Sequence, residues 1–121
     1  MKAKPDVHRK SSYAVKHVET VVAGTDVRVR LFTLAERDII PWHCHSQCAD
    51  HYFVLEGALT VEMRDPDRLW EIKLGERHHI EPCTAHQISN PSQGDCRFLL
   101  VQGVGTFDWI NVGANEPPVG A

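Results

Sequence analysis

Apolar and polar residues alternate along this chain in short blocks, and turn-forming residues separate the blocks. Val27-Arg28-Val29-Arg30-Leu31-Phe32-Thr33-Leu34 opens with strict alternation, the pattern of a half-buried strand whose successive side chains point to opposite faces. Leu69-Trp70-Glu71-Ile72-Lys73-Leu74 alternates in the same way. Residues 13–22 are rich in β-branched side chains and predict an earlier strand. Further strands are predicted over 39–45, 52–56, 58–64, 77–80, 86–89 and 97–102. Between them lie Gly24-Thr25-Asp26, Glu36-Arg37-Asp38, Gly57, Asp65-Pro66-Asp67-Arg68, Gly75-Glu76, Glu81-Pro82-Cys83-Thr84 and Asn90-Pro91-Ser92-Gln93-Gly94-Asp95, all composed as turns or loops. No stretch sustains a helical period. Eight or nine short strands at this spacing predict an all-β sandwich or barrel. The expected organisation is one β-barrel domain over 13–112, a mobile polar tail over 1–12, and a C-terminal tail over 113–121. Residues 105–112 keep apolar character and are expected to pack on the outside of the barrel.

Composition narrows the class without changing it. A chain of 121 residues can build one domain with a real core. The formal charge of −3 argues against a nucleic-acid surface, which is usually basic. Lys2, Lys4, His8, Arg9 and Lys10 are confined to the N-terminus and read as a solvated tail. No apolar run reaches the roughly 18 residues of a membrane span, and no apolar segment follows the first lysines as it would in a secretory signal. The expected location is the cytoplasm. Cys44, Cys48, Cys83 and Cys96 form no C-x-x-C pair and read as free thiols in a reducing compartment.

Histidine is the residue in excess, with eight in the chain. His43 and His45 stand two apart, so both rings point to one face of a strand, while Trp42 and Cys44 face away. Asp50 opens the next strand, and His86 opens a later one after a proline-containing loop. Three imidazoles and a carboxylate suit a divalent first-row metal, with positions left open for water or a substrate. Asp50 reads as a direct ligand, a ligand through water, or a group that only orients a histidine. His51 is its rival, because a bulge in that strand would turn His51 inward instead. Gln47 lies on the intervening loop within reach of an open position. The residues Cys44, His45, Cys48 and His51 have the types of a compact zinc site, but that set would pull His45 off the face it shares with His43. Cys83 is expected near the pocket mouth. His78 and His79 alternate, so at most one faces inward. Tyr52, Trp70, Phe32, Phe98 and Leu100 are candidates for an apolar lining, and Glu62 or Tyr52 for proton transfer.

Two stretches resemble the signature motifs of the cupin superfamily. The first family motif, G-x5-H-x-H-x3/4-E-x6-G, is matched in spacing by His43, His45, Asp50 and Gly57. The second, G-x5-P-x-G-x2-H-x3-N, is matched by Gly75, His86 and Asn90. The resemblance covers most of residues 27–103. Arg37 stands at the first glycine, Asp50 at the glutamate, Glu81 at the proline (with Pro82 next), and Cys83 at the loop glycine. The resemblance implies a single-domain double-stranded β-helix, a jelly-roll barrel, with His43, His45, Asp50 and His86 around Fe, Mn, Ni or Zn. It implies a metal-dependent enzyme for a small oxygenated organic molecule, of dioxygenase, isomerase or lyase type. The alternative is a non-catalytic metabolite-binding module. Small cupins commonly exchange N-terminal strands, so a homodimer is expected with residues 13–22 as the exchanged element. Neither nucleic acid nor membrane is an expected partner.

Overall fold

The computed structural model describes residues 15–113, so the expected N-terminal tail over 1–12 and all but the first residue of the expected tail over 113–121 lie outside the described residues. Ten strands and no helix make up the described chain: β1 (His17–Ala23), β2 (Val27–Leu34), β3 (Ile39–Cys44), β4 (Ala49–Glu56), β5 (Ala58–Met63), β6 (Arg68–Lys73), β7 (Arg77–Ile80), β8 (His86–Ser89), β9 (Cys96–Gly103) and β10 (Ile110–Asn111). They form two five-stranded antiparallel sheets, β1-β2-β9-β4-β7 and β10-β3-β8-β5-β6. The all-β class expected from the alternation and the double-stranded barrel implied by the resemblance are the observed architecture. β1 pairs with β2 of the same chain, from His17 against Thr33 to Ala23 against Arg28.

The inner faces of the two sheets make the core, because alternation gives each strand one apolar side to bury. β9 shows this most regularly: Cys96, Phe98, Leu100 and Gln102 are buried while the residues between them are half-buried. Phe32 pairs with Phe98 across β2 and β9, with their rings stacked at 5.1 Å. Val18, Leu34, Ile40, Tyr52, Val54, Leu59, Val61, Ile72, Ile80 and Ile88 complete the core. Burial of each large apolar side chain contributes about 1.5–3 kcal/mol. Cys44, Ala85 and Val112 form a second, smaller cluster with Trp42 and Ile110 on the far side of β3.

Local devices place the strands that carry the histidines. Gly57 joins β4 to β5 at φ +73°, where a Cβ would stand 2.8 Å from the Asp95 carbonyl oxygen. Only glycine fits there without a shift. Asn90 closes the loop after β8, donating Nδ2–H to the Leu34 and Gly94 carbonyls at 3.0 and 2.7 Å and accepting from Ser92 N–H at 2.7 Å. Arg37 and Cys83, the two residues at family glycine positions, keep the left-handed backbone at φ +72° and +62°. The loops therefore retain the shape that glycine would allow, at the cost of a Cβ in a crowded conformation.

Candidate metal centre

β3 is what points two histidines inward. Ile40 faces the core, and regular alternation would then turn His43 outward. The register against β8 slips between Ile40 and His43, so that Ile40 lies opposite Ile88 but His43 lies opposite His86. Pro41 lies in this bulge, a position that tolerates the missing N–H. Beyond the bulge His43 and His45 are buried on the cavity side, and Cys44 is buried in the outer cluster.

Asp50 arrives from the opposite sheet. β4 is hydrogen-bonded to β7 and β9, not to β3, so the carboxylate and the first two histidines face one another across the barrel. β4 runs in regular register from Ala49 to Val54 and bulges only afterwards. Asp50, Tyr52 and Val54 consequently point in, and His51 points out against His79 at 5.7 Å between ring centroids. The alternative in which His51 replaces Asp50 is not what the fold builds.

The four side chains meet. His43, His45, Asp50 and His86 are all buried, and one ligand-type atom from each lies within 4.8 Å of the others. Each imidazole is held at Nδ1 by a backbone carbonyl: His43 by Pro41 at 2.7 Å, His45 by Asp108 at 2.6 Å, and His86 by Thr84 at 2.8 Å. Donation from Nδ1 sets the tautomer and leaves the Nε2 lone pair to face the cavity. His45 Nε2 and His86 Nε2 stand 3.2 and 3.1 Å from Asp50 Oδ2. With each Nδ1–H given to a carbonyl, the Nε2 atoms face the Asp50 carboxylate, and either a proton on His45 Nε2 or a metal cation can complete the set. The residues present fit a divalent transition metal with three Nε2 ligands and one oxygen.

The electrostatics differ between the imidazoles. Burial, reinforced by the other two imidazoles, holds His43 well below the ordinary histidine range, in its neutral ligand form. Burial also works against the His45 imidazolium, but the Asp50 carboxylate outweighs it and raises His45. Burial would raise the Asp50 carboxyl; His45 and His86 overcome this and hold it well below the usual carboxylate range.

Asp50 is itself positioned by a relay. Its Oδ2 accepts from Tyr52 O–H at 2.8 Å, and its Oδ1 accepts from Gln102 Nε2 at 2.8 Å. Gln102 Oε1 in turn accepts from Arg28 Nε at 2.8 Å and Arg30 Nη2 at 3.1 Å. Guanidinium groups only donate and a carboxylate only accepts, which fixes the orientation of the amide between them. Residues 105–112, expected on the outside, pack there only in part: Ile110 and Val112 join the outer cluster, while Phe107, Asp108 and Trp109 line the cavity as a strap. Trp109 stacks on His43 at 3.7 Å, and Phe107 lies under Arg28 at 4.5 Å. Ser46 donates N–H to Asp108 Oδ1 at 2.9 Å and its hydroxyl to Oδ2.

The resulting cavity of about 110 Å³ is lined on one side by the metal-type group and on the others by residues including Arg28, Phe32, Ile40, Tyr52, Leu100 and Trp109. Phe32, Tyr52 and Leu100 line it as expected. Phe98 stays in the core, and Trp70 lies outside the cavity, half-buried against the core and 4.2 Å from the His78 ring. Glu62 is also outside, accepting from Gln87 at 2.8 Å. Gln47 is exposed and accepts from Thr106 N–H at 3.3 Å. Cys44, Cys48 and His51 do not gather with His45, and among the described residues only one metal-type group forms. Cys83 braces the loop, with its N–H on the His45 carbonyl at 2.7 Å and its thiol on the Ser46 carbonyl at 3.5 Å. His79 pairs with Glu81 at 3.0 Å.

Arg28, Arg30, Gln102, Asp108 and Trp109 are the site residues that sequence reasoning missed. Arg28 and Arg30 share parity with Phe32 and Leu34 as well as opposing Val27, Val29 and Leu31. That shared parity was a usable signal for which face turns inward.

The comparisons with known proteins fit this geometry. No curated protein matches the chain in sequence. A solved Klebsiella pneumoniae protein with a double-stranded β-helix domain matches at 17% identity and TM-score 0.69, covering 85% of this chain and 87% of its own. KdgF from Halomonas sp. matches at 16% identity and TM-score 0.65, covering 74% and 78%. Oxalate decarboxylase from Lactobacillus farciminis, solved as a formate complex, matches at 14% identity and TM-score 0.73, covering 90% of this chain but 33% of that one. At such identities these likenesses show the fold. The cupin domain model matches residues 30–102, the stretch that carries all four converging side chains, and the chain belongs to the cupin family.

Proposed function

We propose that this cupin is a metal-dependent enzyme acting on a small oxygenated organic molecule. His43, His45 and His86 would hold a divalent Fe, Mn, Ni or Zn ion through Nε2, and Asp50 through Oδ2. The carrying observation is the set of three Nδ1–carbonyl bonds, which aims three lone pairs at one buried carboxylate. When bound, such an ion supplies Lewis-acid polarisation of an oxygen ligand. The chain's own residues do the rest. The Gln102 relay holds Asp50 in place. Trp109 limits the ring motion of His43 and, with the strap, keeps bulk water from the mouth. Tyr52 O–H, already hydrogen-bonded to Asp50, is a side-chain proton beside the centre. Glu62 has no part in it.

A small-molecule ligand, a cytoplasmic location and a homodimer belong to the same reading. So does the absence of nucleic-acid or membrane partners. No helix is long and apolar enough to cross a membrane among the described residues. Metal analysis of purified protein and of a His43→Ala/His86→Ala double variant tests the centre. We expect close to one ion per chain in the parent and near none in the variant, with both folded by circular dichroism. Equal metal content in the two would sink the assignment.

A further inference from the structure

The outer faces of the two sheets differ. Across the middle of β10-β3-β8-β5-β6 the outer face is polar: Thr60 lies beside Glu71 and Ser89, and Glu62 lies beside Gln87. That is the pattern of a sheet with one face on the core and the other in water. The outer face of β1-β2-β9-β4-β7 is apolar across its middle. Register places Leu31 of β2 and Phe53 of β4 on either side of Leu99 of β9, and in the next row it places Val29 beside Val101. These five side chains are half-buried, and none belongs to either core cluster. β9 accordingly reads Phe98-Leu99-Leu100-Val101 with no polar residue between, as a strand covered on both faces does. A contiguous apolar patch in the centre of a sheet marks a contact surface.

The patch is complementary to itself. β9 is the middle strand of five, with β2 and β4 beside it and β1 and β7 at the edges. The row through Leu99 ends on Glu19 at the β1 edge and on Arg77 at the β7 edge, both exposed. A twofold axis parallel to β9 and lying over it exchanges the two edges between copies. Leu99 of one copy then meets Leu99 of the other, Leu31 meets Phe53, Val29 meets His51, and each Glu19 comes opposite an Arg77. Opposite charges pair at the rim of an apolar centre, which fixes the register of two copies and disfavours other partners. Within its own chain Glu19 has the His17 ring at 3.7 Å, a contact that leaves its exposed side open to the second copy.

The size is sufficient. The five strands carry 7, 8, 8, 8 and 4 residues. At about 3.3 Å per residue and about 4.8 Å between strands, they present about 550 Å². Two copies would bury about 1,100 Å², above the roughly 1,000 Å² that a specific interface needs. Exchange of β1 is not required, because β1 pairs with β2 of its own chain.

We propose that the outer face of β1-β2-β9-β4-β7 is where a second copy of this chain stacks, sheet on sheet, about a twofold axis along β9. It is the surface of the homodimer in the reading above and rests on that reading.

The test reads the mass of the full chain by light scattering after size exclusion, and the dimer Kd by sedimentation over a dilution series. The parent should be a dimer. Leu99→Glu sets two carboxylates against each other at the axis and should weaken dimerisation by about a hundredfold or more. Glu19→Arg and Arg77→Glu should each raise the dimer Kd about tenfold, and the double variant should return it to within about threefold of the parent. These two changes lie at exposed edges, so they test the surface even where Leu99→Glu does not fold by circular dichroism. A monomeric parent overturns both the surface and the homodimer. A dimer that a folded Leu99→Glu leaves intact overturns the surface and leaves a homodimer formed elsewhere. Single charge reversals without effect, or a double variant no tighter than the singles, overturn the twofold along β9.

Discussion

Replacing Gln102 with methionine removes the relay behind Asp50 while nearly conserving volume. Gln102 is 1% exposed and makes three hydrogen bonds to charged groups, at 2.8 Å to Asp50, 2.8 Å from Arg28 and 3.1 Å from Arg30. Bonds of this kind contribute about 1.5–3 kcal/mol each, and a charged group left without its partner adds a desolvation cost. Counted singly they come to about 4.5–9 kcal/mol. They share one side chain, so they do not add fully, and the thioether returns about 1–2 kcal/mol of apolar burial. A net loss of about 3–5 kcal/mol is expected, measured by urea unfolding of the metal-free protein so that ion binding does not enter. Asp50 would also lose the donor that orients it. Metal affinity, read by competition with a chromophoric chelator, should fall by about 10–100-fold, as when outer partners of other metal ligands are removed. A Gln102→Met protein within about 1 kcal/mol of the parent and with unchanged metal affinity would refute the relay.

Two further outcomes follow from the same geometry. Arg37 is exposed at φ +72°, so Arg37→Gly should relieve a left-handed strain of about 1–2 kcal/mol while adding about 0.4–1 kcal/mol of unfolded-state entropy. The net gain should raise Tm by a few degrees, and a lowered Tm would show that the Arg37 side chain stabilises the loop. Burial, with nearby carboxylates, pushes the Cys48 thiol up to about 11 and the Cys96 thiol up to about 12 from 9.0. Above pH 9 the unfolded chain releases these protons first and so binds fewer than the folded chain. Their stabilisation is present below pH 9 and is lost as pH rises through about 11 to 12. Cys96→Ala should therefore show a shallower fall of urea-unfolding free energy between pH 8.5 and 10.5 than the parent. Parallel slopes would mean that Cys96 is not protected from ionisation.

Much of the fold was readable because each β strand states its period in its own residues. Seven of the ten strands fall where alternation and turn residues predict them, to within one residue at their ends, and β4 starts three residues before the predicted 52. β1 starts later than residue 13, and β10 was read only as part of a loosely packed tail. The histidines were readable too, since His43-x-His45, Asp50 and His86 are chemically conspicuous in an ordinary composition. Their convergence was harder to see. Continued alternation from Ile40 would have turned His43 away from the cavity, and it is the slip against β8 that reverses its direction. Asp50 and His51 were both admissible on β4 until pairing with β9 fixed where that strand bulges.

By itself, then, the sequence determined most of the strands, their turns, the all-β class and three of the converging side chains, His43, His45 and His86, with Asp50 and His51 as candidates for the fourth. These properties are local: a period of two, a turn residue and a titratable ring are each written within a few positions. Tertiary structure alone decided that Asp50 faces the histidines from the other sheet, and that Gln102 links it to Arg28 and Arg30. It also decided that Trp109 and Asp108 close the mouth instead of lying outside. Each of these depends on register between strands far apart in the chain, and a shift of one residue there reverses the face on which every side chain lies.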